Sequence, residues 1–311
     1  MKSIIHSNTM SNDILKQLNL DDIKELANIY EKQKQTFPYI HSFIQNCIKA
    51  LEIGMKEYVT IYSPGDFWRK DGTFIASMPN YGPDIVLHSL DPSGKNLQDA
   101  LLKSSKFKFL KDPSRYYTCF YAVHEWFFPK ILQMTSEHFK LNVSYAEEMF
   151  VMCLEKEKAL QFDITQCPDE VYVAAIQPED FQVIKQHWPY SWKSTERKLE
   201  DWTKLKNGFG VYLKSNNKLV SWVTSSCLGQ MCALQTLDEH KKKGYAQLVI
   251  KHMAKYLAEL GFDCCGTVHP TNVASLELFS KLGFNSIYKC AYICIVHKGQ
   301  SPEVDDKLPS H

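Results

Sequence analysis

Leu15, Leu18, Ile23, Leu26 and Ile29 recur at helical spacing, with a break and a new cap at Asn19–Asp21. The pattern predicts two short helices within residues 12–31. Phe43, Cys47, Ile48 and Leu51 fall on one side of a further helix over residues 41–53. Shorter apolar runs come next, at residues 58–62, 73–78 and 84–90, and read as strands. They are punctuated by Ser63-Pro64-Gly65-Asp66, Lys70-Asp71-Gly72-Thr73 and Asp91-Pro92-Ser93-Gly94, all turn formers. Residues 116–126 make an aromatic-rich strand, whose Tyr116, Tyr117, Phe120, Tyr121 and Trp126 are core contacts or the wall of a pocket. His124 and Glu125 are adjacent there and point to opposite faces, so they do not share a site. Residues 144–160 read as a helix that links the two halves of the chain.

A second half begins near Glu170. Residues 171–176 read as a strand, Pro178 opens a helix through His187, and Ser194-Thr195 caps another that ends before Asn207-Gly208. Strands are expected at 210–213, 219–224 and 230–237, joined by hairpins, one of them turning on Asn216-Asn217. A helix, a strand at 264–268, a helix from Asn272 and a last strand at 288–296 complete the order. Strands and helices in this succession predict an α/β fold with a mixed sheet. The domain boundaries expected are 1–160 and 165–298, followed by a polar, mobile tail at 299–311.

Composition narrows the class. With 311 residues the chain is long for one core, and 44% hydrophobic content makes it globular. Lys and Arg number 36 against 35 Asp and Glu, which gives no support for a nucleic-acid surface. No stretch approaches a membrane span, and residues 1–20 lack the apolar region of a secretory signal. Asp13, Asp21, Asp22 and Glu25 precede the first arginine, Arg69, which argues against a mitochondrial presequence and for a cytoplasmic protein. Ten cysteines form no C-x-x-C pair and no zinc spacing, so no metal site is expected and the thiols read as buried and reduced.

The chemistry concentrates late in the chain. Met231–Leu237 is an apolar strand, Lys241-Lys242-Lys243-Gly244-Tyr245-Ala246 a basic Gly-containing turn, and an amphipathic helix runs on to Leu260. Unpaired N–H groups at such a helix start attract phosphate, and Gly244 allows close backbone approach. Further on, Asn272-Val273-Ala274-Ser275-Leu276-Glu277-Leu278-Phe279-Ser280-Lys281-Leu282-Gly283-Phe284 has a cap, an apolar face and a Gly stop. Together the two segments resemble the acyl-CoA-binding core of the GNAT N-acyltransferase superfamily. Gly244 and Ala246 match its first motif, with Lys241 where Gln or Arg is usual, and Asn272, Ser275, Gly283 and Phe284 match its second. Lys218-Leu219-Val220-Ser221-Trp222 and Thr236-Leu237-Asp238-Glu239 look like the glycine N-acyltransferase-like branch. The resemblance covers about residues 171–297, and that branch often carries a degenerate acyltransferase-like half before it.

The resemblance implies acyl transfer from acyl-CoA or acetyl-CoA to the amine of a small acceptor, glycine or another amino acid among them. Such a reaction must hold the thioester, deprotonate the amine and stabilise the oxyanion and the thiolate. Leu237, Lys242, Lys243, Gly244, Tyr245 and Ala246 are the implied CoA contacts, and Asn272 either bonds the pantetheine arm or simply caps its helix. Glu239 is the implied base, with His240 its competitor, unless Glu239 only complements the helix dipole. Ser275 lies where it can approach the thiol. Phe279 stands where the superfamily often has an acidic Tyr, which keeps open an alternative function as a non-catalytic CoA-binding or interaction protein. Trp222 reads as a packing anchor, and Arg197 as either an acceptor contact or a surface charge.

Overall fold

The computed structural model describes residues 13–78, 84–107, 117–188, 195–205, 208–226 and 228–296. The tail at 299–311, Tyr116 and Cys227 lie outside them, as do the side chains of Tyr117 and Arg197.

Asn19 starts the first long helix with a reciprocal capping box to Asp22, and Pro38 sits in the first turn of the second. The first half runs β1 (Leu15–Gln17), α1 (Leu20–Glu31), α2 (Pro38–Glu52), β2 (Thr60–Pro64), α3 (Phe67–Asp71), β3 (Phe74–Met78), β4 (Asp84–His88), α4 (Lys95–Lys103), β5 (Tyr117–His124), α5 (Phe128–Glu137) and β6 (Asn142–Leu154). After the short α6 (Lys156–Ala159), the second half repeats most of that order. It runs β7 (Val171–Ala175), α7 (Phe181–His187), α8 (Thr195–Lys204), β8 (Gly208–Leu213), β9 (Leu219–Ser225), β10 (Met231–Thr236), α9 (Tyr245–Glu259), β11 (Cys264–Val268), α10 (Val273–Lys281) and β12 (Asn285–Val296).

These strands join one 12-stranded mixed sheet, β1-β2-β3-β4-β5-β12-β6-β11-β10-β9-β8-β7. The last strand of each half is exchanged. β6 pairs with β11 of the second half, β12 pairs with β5 of the first, and the two meet antiparallel at the centre. Alternation along β11 fixes the two layers of helices. Cys264 and Val268 pack with α9 and α10, whereas Cys265 joins the core under α1 and α2.

Three expectations are corrected. Residues 144–160 are not a helix: Glu and Met favour one, but β6 is paired with β12 along its length and with β11 over Phe150–Leu154, and pairing overrides propensity. The first of the two early helices is instead β1, an edge strand paired with β2. The thiols are not all reduced: the ladder sets Cys119 opposite Cys294 and Cys153 opposite Cys265, and each pair is a disulfide. His124 is buried and Glu125 exposed, on opposite faces as expected.

The first half also has a parallel strand pair, and side chains close it. β4 and β5 pair in register at Ile85 and Phe120, and beyond that point His88 and His124 face each other with ring centroids 5.6 Å apart. Phe37, Trp126 and Tyr288 pack around them. Tyr30 donates to the Gly72 carbonyl at 3.0 Å and meets His88 Nδ1 at 2.7 Å. The turn before α4 is equally unsuited to phosphate, because Asp91 already accepts the Ser93 N–H at 2.9 Å and brings a negative charge.

Burial holds His88 well below the ordinary imidazole pKa and lowers His124 to about 4. Both rings stay neutral in the fold and protonate on unfolding, so their contribution is intact above pH ~6.5 and is lost as pH falls from there towards the folded values. The urea midpoint is expected to drop between pH 6.5 and 4.5, at up to ~1.4 kcal/mol per pH unit per ring. A midpoint constant across that window would refute it.

Candidate functional site

β10 leaves its parallel neighbour early. The two pair in register at Met231 and Gly266 and then part, opening a slot between their C-terminal ends. A bulge at Ala233, with φ of 50°, shifts the β9–β10 register between Cys232 and Gln235 and bends the strand along that slot. Gly266 forms its base. A Cβ there would sit 3.3 Å from the Met231 carbonyl oxygen and 3.6 Å from the Phe279 ring. The first contact would be tight and the second ordinary, so a side chain there would need the Met231 carbonyl to give by a few tenths of an ångström.

At the open end, Thr236 leads through Leu237 and the turn Asp238–His240 into the basic loop. Lys242 and Gly244 are both left-handed, with φ of 62° and 82°, which turns successive backbone N–H groups to one side. Gly244 is the N-cap of α9 and makes no side-chain cap, so the helix's first N–H groups keep their partial positive charge. A Cβ on Gly244 would meet nothing within 4 Å, so the loop faces open space. Lys242 and Lys243 are exposed beside it. The Tyr245 side chain turns inward and donates to Glu170 Oε1 at 2.8 Å, leaving only its backbone for the loop. Burial, then Glu170, push that hydroxyl up to about 12. These features fit a diphosphate group.

The end of β11 carries the second motif. Asn272 Oδ1 accepts the Ser275 N–H at 3.1 Å, so it does cap α10, and Ser275 lies half-buried one turn along. Phe279 is 4% exposed and packs edge-on against Phe284 at 4.9 Å, with no proton to offer.

Leu237, expected at the strand end, is buried. Its N–H donates to Val220 at 2.9 Å and its carbonyl accepts from His240 at 2.8 Å, so it supports that end of the slot. Glu239 is exposed on the turn and ion-paired with Lys218 at 3.1 Å. Its own backbone N–H and then Lys218 hold its carboxyl below the ordinary range. His240 Nε2 is 3.9 Å from that carboxylate. Trp222 is fully buried in the core under α7 and α8, the packing role expected of it. Among the described residues no group of three or more His, Cys, Asp or Glu is arranged to hold a metal. Sequence reasoning missed a cluster on the other face of the slot, formed by Glu147, Gln230, Thr267, His269 and Tyr292. No local motif signals it, because it assembles only when β6, β11 and β12 take their register.

A mixed sheet parted beside a left-handed helix cap is the fold of GNAT acetyltransferases of known structure, and the chain shares that fold. Residues 208–293 match the family described as FR47-like protein, and residues 14–133 match a domain of unknown function (DUF5645). Solved structures agree along nearly the whole length. A Drosophila protein is 17% identical with a TM-score of 0.82, over 91% of this chain and 99% of that one. A tandem GNAT protein from the clavulanic acid biosynthesis pathway is 9% identical with a TM-score of 0.52, over 93% and 99%. A GCN5-related N-acetyltransferase from Sphaerobacter thermophilus is 8% identical with a TM-score of 0.52, over 91% and 94%. The first half is therefore a degenerate GNAT-like unit, as the closed β4–β5 pair also indicates. Among the described residues no helix is long and apolar enough to cross a membrane.

Proposed function

We propose that this chain is an acyl-CoA-dependent N-acyltransferase, moving an acyl group from acyl-CoA or acetyl-CoA to the amine of a small acceptor. The observation that carries this reading is the β10–β11 slot with the uncapped Lys242–Gly244 turn at its open end. In this reading the N–H groups of residues 242–246 hold the pyrophosphate, and Lys242 and Lys243 add point charges. The pantetheine arm runs between the parted strands, past the bulge at Ala233 and the cap at Asn272. The slot orients the thioester for direct attack by a deprotonated amine.

The glycine N-acyltransferase-like branch, with glycine or another amino acid as acceptor, belongs to the same proposal and rests on residues 218–222 and 236–239 alone. So does Glu239 as base. A base works best with a pKa near the working pH, and the depressed carboxyl of Glu239 is a weak one. Phe279 favours the second reading, a CoA-binding protein without turnover.

Calorimetric titration with CoA, paired with a mass-spectrometric search for N-acetylated amine, separates the readings. Micromolar CoA binding with product is expected. Binding without product under any amine would select the second reading, and no binding at millimolar CoA would remove both.

A further inference from the structure

The amine must reach the thioester from somewhere, and the two faces of the slot differ. Gly266 and Val268 point towards α9 and α10, the side of the phosphate turn, while Thr267 points to the face covered by α1 and α2. On that face Tyr292 is central. Gln230 Nε2 donates to its hydroxyl oxygen at 2.7 Å, and the Thr267 hydroxyl is 3.1 Å away. Tyr121 sets its ring edge-on against it, centroids 5.6 Å apart. Directly across the β12–β6 ladder from Tyr292 is Glu147. Its Oε2 is 3.5 Å from His269 Nε2, and both side chains are partly open, at 17% and 21%. His269 Nδ1 lies 3.2 Å from the Thr271 N–H and 2.7 Å from the Thr271 hydroxyl, which orients the ring with Nε2 towards Glu147. The His269 carbonyl accepts the Asn272 N–H at 2.9 Å, tying this corner to the cap at the slot's mouth.

One atom in the cluster lacks what it needs. Gln230 is 3% exposed, and its Oε1 has no hydrogen-bond partner. Turning the amide over only exchanges the orphan, because one end is always engaged by Tyr292. A buried carbonyl without a donor is destabilising, and an N–H from a bound molecule would satisfy it.

Resting on the acyltransferase reading above, and in place of its narrower form with an amino-acid acceptor and Glu239 as base, we propose that Glu147, Gln230, His269, Tyr121 and Tyr292 form the acceptor site, and that the acceptor is a primary ammonium with an apolar or aromatic body and no carboxylate. Glu147 is the counter-ion and the base, His269 is a positioning residue, and the two tyrosines are the walls. Glu147 and His269 meet at this corner, with the imidazole Nε2 3.5 Å from the carboxylate. A carboxylate on the acceptor would therefore meet repulsion from Glu147. In the reaction the ammonium gives one proton to Glu147. Its nitrogen then bonds to the thioester carbon and the C–S bond breaks. The second nitrogen proton of the tetrahedral adduct leaves with the thiolate as free CoA thiol. Glu147 and Tyr121 lie on β6 and β5, so the first half supplies part of the site.

The test is acetyl-CoA turnover by the full chain with 2-phenylethylamine and with glycine, read as N-acetyl product by mass spectrometry, with CoA affinity measured by calorimetry on every variant. Phenylethylamine is expected to be the better acceptor. Glu147→Gln should lower kcat/KM for it by about 100-fold or more with CoA affinity unchanged, and Glu239→Gln should lower it far less. Tyr292→Phe should raise KM more than it lowers kcat. His269→Ala should lower kcat several-fold with CoA affinity unchanged, and His269→Gln, which keeps an N–H donor, should recover part of the loss. Glycine as the better acceptor, full activity in Glu147→Gln, or no product from either amine by a chain that binds CoA would each overturn the proposal. Failure of the wild-type chain to bind CoA would instead overturn the acyltransferase reading beneath it.

Discussion

A Gly244→Asp variant is expected to fold as the parent does and to lose CoA binding, with affinity falling about 100-fold or more, which is roughly 2.7 kcal/mol. The fold should survive for two reasons. The new Cβ would meet no atom within 4 Å. Asp also tolerates the left-handed conformation, with φ of 82° here, better than most residues do. Binding should fail because the carboxylate would sit where pyrophosphate is to be held. It would also bond the N–H groups of α9 as an ordinary N-cap, leaving the helix start nothing to offer an anion. Gly244→Ala separates the two effects: it adds the strain and not the charge, and should weaken binding much less. Calorimetric titration with CoA on all three proteins, beside their thermal midpoints, reads the outcome. Parental affinity in the Asp variant would mean that the turn does not hold the diphosphate.

That turn was legible in the sequence because its elements are contiguous. An apolar strand, a glycine that must take a positive φ and a periodic helix succeed one another within residues 231–260, and each has a local signature. The Asn272 cap and the buried Phe279 were legible for the same reason. What was not legible depends on partners far away in the chain. Residues 144–154 look helical by composition and become a strand because β11 and β12 flank them. Cys119 and Cys294 stand 175 residues apart and meet only through register. The Glu147–His269–Tyr292 cluster draws on β6, β12 and the residue that follows β11, and no spacing along the chain announces it. Glu239 shows the opposite case: its place beside the motif was readable, but its pairing with Lys218 across the hairpin was not.

The strand exchange has the largest consequence for stability: residues 165–298 are expected not to fold when produced alone. The cut leaves β6 behind, and β6 is the antiparallel partner of β11 over Cys264–Val268 and of β12 from Asn285 to Val296. It also leaves β5, the other neighbour of β12. In the fragment β11 would keep its single register pair with β10, and β12 would have neither of its neighbours. Each lost ladder bond is worth ~1 kcal/mol, and domain stability is only ~5–15 kcal/mol, so losing on the order of ten bonds removes it. The apolar surface under α1 and α2, where Cys265 and Cys290 lie, would open to water as well. The same reasoning applies to residues 1–160 without β12. Co-expression is the informative arm: the two fragments should recover a one-to-one complex with one cooperative melt under reducing conditions, which removes the Cys119–Cys294 and Cys153–Cys265 links from the comparison. A cooperative transition in the isolated second half, with CoA affinity equal to that of the whole chain, would show that the exchanged strands are dispensable. In that event the first half would have no part in holding CoA. The expected result has the opposite meaning: the first half is held in place because its last strand completes the half proposed to hold CoA.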